Sequence, residues 1–202
     1  PGEPLDNSLF QNEKARISDL LFNNGFAEFN PVYIQNLDAD TVHLKANIIL
    51  KINNPEGKSN HPRYSVNYIS VNPSFTPNDS IPPINILYDS LIFQINPENN
   101  FIRPKAVASK ILFRPGQLSN KSLVDETYNQ LSKLGTYRFV NIEAKIDSVD
   151  RSKINYNIQL TPSKKWVFDY GSDINYTSIK TASKTLFGIY GFAFLKNRNL
   201  FR

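Results

Sequence analysis

The sequence predicts an α+β protein built from two tandem copies of one unit, ending in a pair of long antiparallel strands. Three observations carry this expectation. A Pro-Gly turn leading into an amphipathic helix occurs twice, as Pro1, Gly2, Glu3, Pro4, Leu5, Asp6, Asn7 and as Pro115, Gly116, Gln117, Leu118, Ser119, Asn120. Each helix closes on a glycine, Gly25 or Gly135, and is followed by aromatic residues and then by runs of period-two alternation. The last stretch, 164–202, alternates over two runs of roughly 10 residues each, the length of a strand that crosses a bilayer.

Composition bounds the classes. The chain has 202 residues, 40% hydrophobic, 12% aromatic and 20% charged, which describes folded protein of one large or two small domains. It holds no apolar run long enough for a transmembrane helix and no signal peptide, and Pro1 is not an initiating residue, so a mature or trimmed piece is expected. With no Cys there is no disulfide, zinc-thiolate site or thiol nucleophile, which fits an envelope protein. The net charge of +5 is scattered without a basic run, and solvated faces rather than a nucleic-acid partner account for it.

In the first unit, Asp6 or Asn7 is the expected N-cap, and Leu9, Phe10, Ile17, Leu20 and Leu21 recur at helical spacing until Gly25 releases the chain. Residues 26–35 read as a short extended segment interrupted by Pro31. Residues 41–52 alternate, with Val42, Leu44, Ala46, Ile48, Leu50 and Ile52 on one face. Residues 53–63, rich in Asn, Pro and Gly, read as a linker, so the first unit spans 1–54 and the linker 55–63. The first unit lacks an opening strand and short helix, which are expected upstream of Pro1.

The second unit, 64–163, shows the whole order strand, short helix, helix, strand, strand. Residues 64–71 are strand-like. A Pro-rich insert covers about 73–88, 89–95 is a second extended run, and 105–112 a short helix ending before Pro115. With Ser119 as N-cap, Leu118 and Leu123 would form a hydrophobic staple, and Leu123, Val124, Thr127, Leu131 and Leu134 share one helix face. Strands follow at 138–146 and 153–161, separated by the polar turn 147–152. From turn glycine to closing glycine the first copy is longer by four residues, about one helical turn, which keeps the same face buried. Two helices on one face of a small sheet make an α+β sandwich.

In 166–177, Trp166, Phe168, Tyr170, Ile174 and Tyr176 fall on one face and Val167, Asp169, Gly171, Asp173, Asn175 and Thr177 on the other. In 185–195, Leu186, Tyr190, Phe192 and Phe194 face away from Gly191 and Ala193, so the ribbon is expected to gather its aromatic and apolar side chains on one face. Alternation alone also describes a hairpin of a soluble β-sandwich. An isolated two-stranded ribbon is marginal in water, so these residues either pack on the preceding domain or continue into further strands past Arg202.

Several residues together resemble a known family. The turn Pro115 and Gly116, the helix ending Leu131, Leu134, Gly135, the step Phe139, Val140 and the final strand pair resemble a POTRA (polypeptide-transport-associated) module. The terminal run Asn197, Arg198, Asn199, Leu200, Phe201, Arg202 is similar to the region near the turn after the second barrel strand in the BamA and TamA superfamily of outer-membrane assembly factors. The insert and the Asn-rich, aromatic composition resemble the Bacteroidota branch, and the family resemblance is to a TamA-like member. The resemblance implies tandem POTRA modules followed by the first antiparallel strands, 164–202, of a transmembrane β-barrel. It implies a bacterial outer-membrane location with the modules in the periplasm. The implied partners are unfolded outer-membrane protein clients, periplasmic or lipoprotein accessory subunits, and outer-membrane lipid.

On that reading a client pairs with a sheet edge by β-augmentation, at 64–71 or 138–146, with Tyr64, Val66, Tyr68, Val140 and Ile142 as contact residues. Trp166, Phe168, Tyr170, Ile174 and Tyr176 mark the strand at the barrel seam. Catalysis has no support. There is no Gly-x-Ser-x-Gly elbow, no phosphate-binding glycine loop, and His43 and His61 stand in polar or linker settings. Asp38 and Asp40 read as turn formers rather than cation ligands. No cofactor or metal is implied. The competing reading is a soluble, surface-exposed α+β adhesion or ligand-binding module whose last hairpin packs on its own core.

Overall fold

The first helix, α1 (Asn7–Phe22), begins where Asp6 takes an extended conformation and its carboxylate accepts the Ser8 N–H at 2.8 Å. In the computed structural model of the protein, residues 6–35, 50–77, 82–97, 103–164, 166–179 and 184–197 are described. Gly25 ends the helix with φ +95. A Cβ there would come within 2.9 Å of Arg63 Cγ and 3.2 Å of the Tyr64 carbonyl, so both backbone sign and space call for glycine. A 3-10 turn, Pro31–Tyr33, leads into β1 (Ile34–Gln35), which pairs antiparallel with β2 (Lys51–Ile52). The alternating stretch expected at 41–52 lies outside the described residues as far as position 49.

Residues 53–64 carry no helix or strand. His61 is nevertheless built into the first unit. Its ring lies 5.1 Å from both Phe29 and Tyr33, and its Nε2 donates to the Asn53 carbonyl at 2.8 Å.

The second unit is a five-stranded sheet in the order β4-β5-β3-β7-β6, formed by β3 (Ser65–Asn72), β4 (Ile84–Tyr88), β5 (Leu91–Ile95), β6 (Tyr137–Ile146) and β7 (Lys153–Pro162). β3 runs parallel to both β5 and β7, whereas β4 and β6 each lie antiparallel to a single neighbour. The helices α2 (Pro104–Ala108) and α3 (Lys121–Lys133) contribute Val107, Ala108 and Leu131 to a core whose sheet side is Val66, Ile69, Val71, Leu91, Phe93, Ile95, Ile154, Tyr156, Ile158 and Leu160. Both helices therefore serve one face, and the architecture is the α+β arrangement expected. The opposite face is amide-rich: Asn141 Nδ2 donates to Gln159 Oε1 at 3.1 Å, and Ser70 Oγ to Asn157 Oδ1 at 3.0 Å.

Four local expectations change. Asn120, not Ser119, caps α3, its side chain accepting the Leu123 N–H at 3.0 Å. Ser119 is buried and shares a 2.9 Å hydrogen bond with the Tyr156 hydroxyl, so Leu118 and Leu123 do not stand at staple positions. The short helix is Pro104–Ala108 rather than 105–112, and Ile111 and Phe113 beyond it are core residues. The extended run at 89–95 begins two residues later, because Asp89 and Ser90 take φ 51 and 63 and turn a hairpin that makes 84–88 a strand. Finally, β3 is bulged between Val66 and Ile69, with two residues facing one on β7. The bulge reverses the alternation. Ile69, rather than Tyr68, enters the core, and Tyr68 is left 42% exposed.

Beyond the sheet, β8 (Trp166–Ile179) and β9 (Lys184–Asn197) form a two-stranded antiparallel ribbon, each strand 14 residues long.

Candidate functional site

Three features can meet another molecule: the two edges of the five-stranded sheet and the long ribbon. Of the two strands expected at an edge, β6 is one and β3 is not. β3 lies between β7 and β5, which pairs with it at Ser70 and Val71, while the turn at Gly116 and Gln117 bonds Val66, so the edge expected at 64–71 is corrected to β4. The added hairpin is responsible.

Tyr64 and Val66 are buried at 3% and 2% exposure. The Tyr64 hydroxyl donates to the Glu28 carboxylate of the first unit, and burial together with that carboxylate pushes the phenol up to about 12. Tyr68 lines a polar cleft of about 310 Å³ with Ser70, Gln94, Glu143, Lys145 and Asn155 on the open face. On β6, Val140 and Ile142 lie opposite Leu160 and Ile158 and pack partly against the core. Asn141, Glu143 and Lys145 are exposed on the other face, and the Arg138 guanidinium stacks 4.9 Å from the Phe139 ring. β6 thus offers its backbone edge among charged side chains. The turn to β7 is fixed by Asp147, whose carboxylate is held below the usual range by the Asp150 N–H and then by the Asn155 side chain.

The Pro115 and Gly116 motif has a clear local role. Pro115 and Gly116, with φ +86 at the glycine, fill the two central positions of a type II turn. Gly116 N–H donates to the Val66 carbonyl at 2.8 Å and Val66 N–H to the Gln117 carbonyl at 2.7 Å, which ties the turn to β3. Gly135 takes φ +65 after α3. Sequence reasoning missed the seam between the two units. Asn23 Oδ1 accepts the Ser122 N–H at 2.9 Å, its carbonyl accepts Asn120 Nδ2 at 3.0 Å, and Tyr64 N–H reaches the Gly25 carbonyl at 2.7 Å. The second copy's turn chemistry was legible, while Pro1 and Gly2 of the first lie outside the described residues; that the end of one helix docks on the start of the other was not legible.

The ribbon's aromatic rows are not on one face. The register places Trp166, Phe168, Tyr170, Ile174 and Tyr176 with Leu195, Ala193, Ile189 and Phe187, whereas Tyr190, Phe192 and Phe194 share the other face with Asp173, Gly171 and Asp169. The first face is mainly apolar, broken in the middle by Ser172 opposite Gly191. Its exposures are high: 54% at Trp166, 64% at Phe168, 75% at Tyr170 and 67% at Ile174. On the mixed face Phe192 lies over Gly171, where an added Cβ would come within 2.7 Å of Phe192 Cε1, so the glycine seats the ring. Asn197 lies opposite Trp166, and the rest of the terminal run, Arg198, Asn199, Leu200, Phe201 and Arg202, falls outside the described residues.

No family model matches the sequence, and no curated protein is similar to it. Among solved structures the chain is similar to BamA from Haemophilus ducreyi lacking POTRA domains 1–3, with a TM-score of 0.57 and 9% identity over 88% of this chain. It spans 27% of that BamA chain. POTRA1-3 of the periplasmic domain of Omp85 from Anabaena superposes with a TM-score of 0.40 at 14% identity over 81% of this chain and 54% of that one. BamA POTRA3-5 from Haemophilus influenzae gives 0.29 at 12% identity over 79% and 83%. The last two superpositions are too loose to carry an argument. At such identities the first likeness is one of fold: a POTRA-type α+β module followed directly by a pair of antiparallel strands.

Proposed function

We propose that this chain is the periplasmic receiving arm and first barrel strands of an outer-membrane protein assembly or translocation factor. The observation that carries the reading is the junction. β7 ends at Pro162, β8 starts at Trp166, and the strands that follow expose a largely aromatic and apolar face that nothing in the preceding unit covers among the described residues. Each such side chain left in water forgoes roughly 2 kcal/mol, whereas a bilayer's hydrocarbon would take them all. The mixed face, with Asp169 and Asp173, suits a barrel interior.

On this reading the modules lie in the periplasm, unfolded outer-membrane proteins pair with the β6 edge around Val140 and Ile142, and β8 forms one side of a seam where client strands are templated. Trp166, Phe168, Tyr170, Ile174 and Tyr176 then face lipid. An unpaired strand edge in a bilayer is costly, so a weakly closed seam favours an incoming strand. The work is mechanical, with no chemical step. Accessory subunits, periplasmic or lipid-anchored, would dock on the modules. The insert and the Asn-rich, aromatic composition support a Bacteroidota-type, TamA-like member serving a subset of clients. The competing reading, a soluble adhesion or ligand-binding module, needs the last hairpin to pack on its own core, and exposures of 54–75% along β8 weigh against it.

The test is solubility. Residues 1–162 are expected to be folded and monomeric in buffer, and residues 1–202 to aggregate unless detergent is present, by size-exclusion chromatography and light scattering. A monomeric, detergent-independent 1–202 would defeat the proposal.

A further inference from the structure

The strand that sequence reasoning missed, β4, is the more receptive of the two sheet edges. Its five residues, Ile84, Asn85, Ile86, Leu87 and Tyr88, carry no charge and no proline, and one side of its backbone pairs with β5 while no described strand pairs with the other. Ile84, Ile86 and Tyr88 stand opposite Ile95, Phe93 and Leu91, which are core residues. The core face therefore continues onto β4, but there its side chains are 55%, 44% and 38% exposed. On the outer face Leu87 is 74% exposed.

Natural edges are normally blunted by charge, proline or a bulge. β6 follows that rule with Arg138, Glu143 and Lys145. β4 breaks it.

The edge is also held in place. Asp89 and Ser90 have the positive φ values of a tight hairpin turn. Asp89 accepts Arg114 Nη2 at 2.6 Å, while the same guanidinium donates to the carbonyls of Ala108, Ile111 and Phe113 after α2. The turn is thereby fastened to a buried part of the module, and a rigid edge loses little entropy on binding.

We propose that β4 is a docking edge for an extended segment of another polypeptide with one apolar face, which adds as one more strand to the sheet. Two features fix the occupant's chemistry. A row of N–H and C=O groups that no described strand takes up accepts only extended backbone. The half-exposed row Ile84, Ile86, Tyr88 is covered only if alternate side chains of that segment are apolar, the pattern that β8 itself displays. This rests on the reading above, under which the occupant is a strand of an unfolded outer-membrane protein, and it assigns the client a second edge on the face of the module remote from β6.

The test uses the whole chain in detergent with photo-crosslinking residues at position 87 on β4 or position 139 on β6. The probe is a synthetic peptide with the sequence of β8, Trp166–Ile179. Crosslinking at 87 is expected, falling about tenfold or more in Ile86→Lys, since a charge set into the new strand pair opposes it by more than about 1.4 kcal/mol. Leu87 and Ile86 are exposed, so folding should survive; should Ile86→Lys misfold by circular dichroism, Asn85→Lys read through the same crosslinker replaces it. Capture at 139 alone would overturn the β4 assignment and leave the proposed function standing. Capture at neither would overturn both. Crosslinks between two copies through position 87 without peptide would make β4 a self-association edge and likewise overturn it.

Discussion

Two tyrosines separate burial from bonding at the residue scale. Tyr64 is buried but donates to Glu28, whereas Tyr137 is 7% exposed and its hydroxyl has no hydrogen-bond partner among the described residues. Burial raises the phenol of Tyr137, and burial followed by the Glu28 carboxylate raises that of Tyr64 to about 12, from 10.0 in an unstructured chain. A raised folded-state value means that the native state holds its proton longer than the unfolded chain. For Tyr64 the contribution is complete below pH 10 and is lost as pH climbs from 10 to 12. Urea midpoints should therefore be flat between pH 7 and 9 and fall above 10. Tyr137→Phe should be neutral or gain up to about 1 kcal/mol at pH 7, because it deletes an unpaired buried hydroxyl, and should soften the alkaline loss. A loss above 1 kcal/mol at pH 7 would mean that the hydroxyl is bonded.

The start of α3 shows at the element scale what a cap does beyond its own helix. Asn120 Oδ1 accepts the Leu123 N–H, and its Nδ2 donates to the Asn23 carbonyl at the end of the first unit. Asn120→Ala removes both and is expected to cost about 1–2 kcal/mol. Asn120→Asp keeps the cap but loses the donor, so it should recover about half of that cost, with helix-end electrostatics adding a few tenths. Equal losses for the two replacements, measured by denaturant unfolding, would assign the effect wholly to the bond with Asn23. The sequence pointed to a cap here but placed it on Ser119. Both residues are good caps, and the choice went to Asn120 because Ser119 is drawn inward to Tyr156 by a contact from β7, 37 residues away.

The junction between units decides, for the whole molecule, how the first unit is held. Hydrogen bonds from Ser122 and Asn120 to Asn23, from Tyr64 to Gly25 and Glu28, and from Arg63 Nε to the Asn24 carbonyl at 2.8 Å gather at the end of α1. They make a seam of directional bonds between the units, the kind of interface that permits limited movement. Asn23→Ala removes the side-chain acceptor of Ser122 N–H, so spin labels on exposed positions of α1 and α3 should give a broader distance distribution than in the parent chain. An unchanged distribution would mean that the remaining bonds alone fix the angle.

The sequence by itself determined what depends on near neighbours. Period-two runs gave β6, β7 and β8; the helical stripe gave α1 and α3; and Gly25, Gly116 and Gly135 all sit at positive φ, with Gly25 also lacking room for a Cβ. These rest on spacings of a few residues. The tertiary structure decided what depends on pairing across long separations. It set the sheet order, which encloses β3 and makes β4 an edge. It set the bulge that turns Tyr68 out and Ile69 in, and the ribbon register that sends the aromatic rows of β8 and β9 to opposite faces. Alternation says which residues of one strand share a face, but a shift of one residue against a partner exchanges the faces, and only the pairing itself fixes that.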